Sequence, residues 1–73
     1  MAARTVPADV AGKVWKIVAK PGDRVAADDT LVILESMKME IPVVAPFPGT
    51  VIAILVEEGQ PVREDDAIAR IGA

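Results

Sequence analysis

Six consecutive residues near the middle of the chain, Glu35-Ser36-Met37-Lys38-Met39-Glu40, set one amine between two thioethers and two carboxylates. A lone lysine in a loop is ordinarily a charge that keeps the surface wet, and methionines ordinarily fill cores. Here the ordinary reading meets two local conflicts. If Lys38 lies at the tip of a tight hairpin, Glu35 and Glu40 pair across it, and like charges directly opposite cost up to about 1 kcal/mol. Two-residue hairpin turns favour Asn-Gly or Asp-Gly because both central residues need positive φ, and Met37-Lys38 suits that conformation poorly. A stretch that breaks local rules twice points to a functional site.

Other residues with chemical potential read as structure. Asp28-Asp29 and Asp65-Asp66 fall where the chain turns, and aspartate at turns bonds its own backbone, so these pairs are assigned to turn chemistry and not to a metal site. Glu57-Glu58 reads as a solvated turn. The chain has no cysteine and no histidine, which removes disulfides, the usual zinc ligands and the commonest general base. No catalytic residue and no metal site are expected.

The elements that must position Lys38 are legible as a duplication. Shifting the chain by 37 positions superimposes Gly12 on Gly49, Val14 on Val51, Ile17 on Ile54, Gly22 on Gly59, Val25 on Val62 and Asp28-Asp29 on Asp65-Asp66. Two copies signal a pseudo-twofold fold, not a solenoid. We read residues 1–73 as one domain, with repeats 8–34 and 45–71 around a hairpin at 35–40. Short β-branched runs at 13–18, 30–34, 41–44, 51–56 and 67–71 are punctuated by Gly, Pro and Asp turns, the spacing of an all-β barrel or sandwich. Six prolines near the run boundaries make long helices improbable. The three-residue steps from Val14 to Ile17 and from Val51 to Ile54 break strict alternation and predict a bulge in each copy. Val14, Ile17, Val25, Leu31, Leu34, Val51, Ile54, Val62, Ile68 and Ile71 are apolar in both copies and are the predicted core. Trp15 is expected to pack in the core or at an edge. The duplication also predicts that Lys38 lies near the pseudo-twofold axis.

At 73 residues the domain buries only about 60% of its unfolded surface, so its stability margin is thin. A net charge of −3 argues against a nucleic-acid partner, and Trp15 and Phe47 are the only aromatics available for stacking. An acidic surface suits recognition by basic clefts. The first residues carry no apolar core like that of a secretory signal, and the longest apolar run, 51–56, is too short to span a bilayer. These features predict a soluble, cytoplasmic protein with no membrane partner.

Glu35-Ser36-Met37-Lys38-Met39-Glu40 within a duplicated barrel resembles the attachment motif of biotinyl domains, and the resemblance covers essentially the whole chain. It implies the biotinyl/lipoyl fold, a flattened barrel or sandwich of two four-stranded antiparallel sheets with the modified lysine on an exposed hairpin. It implies biotin joined to Lys38 by an amide, with Met37 and Met39 as flanking recognition residues and Glu35, Ser36 and Glu40 forming the hairpin. Two departures stand out. The constant offset leaves no room for the protruding thumb of bacterial acetyl-CoA carboxylase carriers, so the chain is more similar to thumbless domains or small free-standing biotinyl proteins, and Met1 favours the latter. Ser36 stands where alanine is more usual, a small-for-small change.

The implied function is that of a non-catalytic biotin carboxyl carrier. It would shuttle a carboxyl group from an ATP- and bicarbonate-using biotin carboxylase site to a carboxyltransferase site. Biotin protein ligase, biotin carboxylase and carboxyltransferase are the implied partners. Acetyl-CoA, propionyl-CoA, pyruvate and urea all remain open as acceptors. The alternative within the fold is a lipoyl carrier, whose lysine usually follows an acidic residue; Met37 speaks against it. The alternative from another class is a small interaction module with an unmodified lysine.

Overall fold

The computed structural model describes residues 3–72. Eight strands follow one another: β1 (Ala3–Pro7), β2 (Gly12–Ile17), β3 (Arg24–Val25), β4 (Thr30–Ser36), β5 (Met39–Val44), β6 (Gly49–Ile54), β7 (Pro61–Val62) and β8 (Ala67–Gly72). No helix occurs among the described residues. The strands form two four-stranded sheets, ordered β1-β8-β6-β3 and β5-β4-β2-β7, and each pairing is antiparallel. The expected all-β fold of two such sheets is present. No strand ladder joins one sheet to the other, so the body is a sandwich and not a closed barrel.

The five apolar runs read from the sequence correspond to β2, β4, β5, β6 and β8. The other three strands lacked a signal. β3 and β7 are two residues long, and β1 offers one buried side chain, Val6, among Arg4, Thr5 and Pro7.

Shifted by 37, β1 falls on β5, β2 on β6, β3 on β7 and β4 on β8, so the duplication extends beyond 8–34 and 45–71 to the flanking strands. The turns match bond for bond. Gly22 and Gly59 have φ of 94° and 89°, and their N–H groups donate to the carbonyls of Val51 and Val14, each at 2.7 Å. Asp28 and Asp65 both sit at φ 72°, while the carboxylates of Asp29 and Asp66 accept from the N–H groups of Ala26 and Arg63, each at 2.8 Å. The acidic pairs therefore make turns, by the local bonding that favours aspartate there. Glu58 does more than solvate its turn, since its Oε2 accepts from the Ile17 N–H at 3.1 Å.

The predicted bulges occur: register shifts between Val14 and Lys16 in β2 and between Val51 and Ala53 in β6. Each extra residue is turned outward, and this corrects the expectation for Trp15. It lies on the outer face of a central strand, 48% exposed.

A second pair of irregularities, at Leu31 in β4 and Ile68 in β8, turns consecutive residues inward, so Val32 and Ala69 join the core although simple alternation would place them outside. Leu31, Leu34, Ile68, Ile71, Val14 and Val51 are fully buried as predicted. Ile17 and Ile54 are only partly buried because they end their strands beyond the bulges; Val25 is partly buried too, whereas its counterpart Val62, in an edge strand of the same two-residue length, is buried as predicted.

Candidate functional site

β4 and β5 form a hairpin whose register runs Ile33↔Pro42, Leu34↔Ile41, Glu35↔Glu40 and Ser36↔Met39, leaving Met37 and Lys38 as the turn. Both turn residues have positive φ, 52° and 67°, as a primed two-residue turn requires. Left-handed backbone at a non-glycine residue costs about 1–2 kcal/mol, so the tip holds a conformation its side chains do not favour. Rigid packing at the root sustains it. Leu34 is fully buried and lies opposite Val14 on β2. Gly12 begins β2 beside the root; a Cβ there would come within 2.6 Å of the Glu35 carbonyl oxygen, so only glycine permits this approach.

Lys38 is exposed, and Met37 and Met39 are 92% and 64% exposed. Ser36 is half-buried, a position where a small side chain fits. Glu35 and Glu40 are exposed, directly opposite and on one face, as predicted. The structure adds a residue that sequence reasoning missed. Lys13 lies opposite Glu35 on its other side, so the row across three strands reads Lys13, Glu35, Glu40. A cation beside the first carboxylate offsets part of the repulsion between the two. The equivalent row in the other sheet is Thr50, Gly72, Ala3, without charge, so the fold itself does not demand these side chains.

The Cα extents are 36 × 17 × 17 Å. Following the chain from Gly49, beside the Gly72 end, it passes Glu58 at Ile17, Gln60 at Val14 and Val62 at Gly12, advancing steadily toward the hairpin. Hairpin and Ala3–Gly72 pair therefore occupy opposite ends of the long axis. The pseudo-twofold exchanges these ends, which places Lys38 far from the axis and not near it, because the Glu35–Glu40 pair of the hairpin corresponds to the Gly72–Ala3 pair at the other end.

Chemically, the tip offers a primary amine on a four-carbon stem, flanked by thioethers and free of any enclosing wall. A shallow concavity lined by Val18, Ala19, Asp23, Arg24, Asp29 and Thr30, with Val25, lies at the opposite end of β4 from the hairpin, and the exposure of Met37, Lys38 and Met39 means that a group joined to Lys38 is displayed at the tip. An accessible amine on a fixed turn fits a covalently attached acyl cofactor.

A family model described as "Biotin-requiring enzyme" matches residues 5–71. The chain is 42% identical to the biotin/lipoyl attachment protein of Bacillus subtilis, with 92% of each chain covered. It is 44% identical to the biotin carboxyl carrier protein of Streptococcus mutans, covering 96% of this chain and 54% of that one. Among solved structures, the Kluyveromyces lactis urea carboxylase superimposes with a TM-score of 0.94 at 38% identity, over 99% of this chain and 6% of that one.

Proposed function

This chain belongs to the biotin-requiring enzyme family of biotinyl/lipoyl attachment domains, and from that premise we propose that it is a biotin carboxyl carrier modified at Lys38. The observation that carries the assignment to Lys38 is its place at an exposed turn held at positive φ between Met37 and Met39. Lys38 Nζ holds biotin through an amide, which removes the ammonium charge and lets the tip enter a partly apolar site without the penalty of burying an ion. When bound, biotin supplies the ureido nitrogen that accepts and releases a carboxyl group. The chain's own residues do no bond-making: Leu34, Val14 and Gly12 fix the hairpin root, and Met37 and Met39 present an apolar surface around the attachment point.

Carboxylation and transfer belong to a biotin carboxylase and a carboxyltransferase, with attachment performed by a biotin protein ligase, and we place this work in the cytoplasm. A carrier joined to its partners meets the second site at an effective concentration on the order of millimolar, which favours relay over diffusion. Intact-mass measurement of the protein from its own cells tests the reading: a single biotinyl increment, mapped to Lys38, is expected. A lipoyl increment, or none, would overturn it.

A further inference from the structure

The hairpin tip holds the two most exposed large apolar side chains of the described residues, Met37 at 92% and Met39 at 64%. The other exposed members of that class, Ile52, Trp15, Val18 and Leu55, are half covered by comparison. The sequence contains no cysteine to compete for oxidants, and the third methionine, Met1, lies outside the described residues. Neither thioether is needed by the fold, because the turn has no counterpart in the other repeat and its root is anchored by Leu34 and not by the methionines.

We propose that Met37, and after it Met39, is a site of sulfoxidation by hydroperoxides, and that this oxidation closes the hairpin to the proteins that act on it. The second half rests on the carrier reading above. In the reaction the thioether sulfur attacks one peroxide oxygen and the O–O bond breaks. Sulfur gains that oxygen and gives up two electrons, and a proton passes to the departing oxygen, which leaves as water or an alcohol. The product is a polar sulfoxide acceptor where a partner site meets an apolar chain. Burying that acceptor without a donor carries a desolvation penalty that the thioether does not. The turn itself survives, since its register and its positive φ values are set by β4 and β5 pairing below it.

The experiment uses the unmodified full chain, treated with graded hydrogen peroxide beside free methionine as a rate reference, followed by catalase and peptide mass mapping. Met37 is expected to oxidise within about twofold of the free amino acid and Met39 several-fold more slowly, with an unchanged melting temperature. The initial rate of biotin transfer to Lys38 by purified ligase is expected to fall about tenfold after oxidation. The Met37→Leu, Met39→Leu double variant serves as the reference for damage elsewhere: its rate, relative to its own untreated sample, is expected to be unaffected by peroxide.

Protection of Met37 by more than about tenfold relative to free methionine would overturn the modification site. An unchanged ligase rate on the oxidised chain, or an equal loss in the double variant, would overturn the closing of the hairpin. If the untreated chain accepts no biotin at Lys38, the carrier reading fails together with the closing step, and the oxidation rates still decide whether Met37 is the sulfoxidation site.

Discussion

Replacing Lys38 by arginine keeps a cation at the hairpin tip but removes the amine that could form an amide. We expect Lys38→Arg to melt like the parent and to give no streptavidin signal after co-expression with a biotin ligase; a persistent signal would reassign the site to another lysine. Glu40 allows a complementary test, because it faces Glu35 directly across the hairpin. Glu40→Gln should raise stability by up to about 1 kcal/mol in urea titration, through loss of like-charge repulsion. Lys13→Ala should lower it by a few tenths, since the cation beside Glu35 is exposed. The tip was readable from residue types alone, because Met37-Lys38 conflicts visibly with the needs of a two-residue turn. Lys13 was not, since only strand register brings it beside Glu35, and no local pattern encodes that register.

At the scale of elements, the pseudo-twofold supplies an internal control for every substitution. Asp29→Ala and Asp66→Ala each remove one carboxylate bond to a turn N–H of the same 2.8 Å length. Both should cost about 0.5–1.5 kcal/mol, and the two losses should agree with each other. Gly12 and Gly49 are equivalent too: a Cβ at Gly12 meets the Glu35 carbonyl and one at Gly49 meets the Gly72 carbonyl. Gly12→Ala and Gly49→Ala should each destabilise by about 1–3 kcal/mol, measured by thermal melts. Only Gly12→Ala should also slow biotinylation at temperatures where both variants remain folded, because only Gly12 lies at the root of the hairpin. Equal slowing by both would mean that the ligase senses global stability and not the local geometry of the root. The glycines, aspartates and β2/β6 bulges that make this control possible were visible as a constant offset in the sequence. The outward rotation of Trp15 was not, because an aromatic in a β-branched run is indistinguishable from a core residue until the bulge has been placed on one face.

For the whole molecule, the core decides whether anything else can be tested. Ile71 is fully buried, whereas Ile54 only packs against the core from its margin. Ile71→Ala should therefore cost about 2–5 kcal/mol, and Ile54→Ala clearly less, in melts of the two variants side by side. A loss of the larger size takes up most of the stability available to a domain this small. The sequence alone ranked Ile54 with Ile71, since both are apolar in both repeats. Repetition reports that a position matters to each half, but depth also depends on where a strand ends, and strand ends were the part that periodicity located least well.

Ala3 and Gly72 are cross-strand neighbours at the end of the long axis farthest from Lys38. A polypeptide fused at either end would thus attach to the same face, and the rigid body would act as a boom that holds the lysine up to 36 Å from the anchor. The radius swept by the tip is set by the sandwich before any flexible linker contributes. Lengthening such a linker enlarges that sphere only slowly, because the span of a flexible coil grows with about the square root of its residue count, while the boom contributes its full length at every orientation.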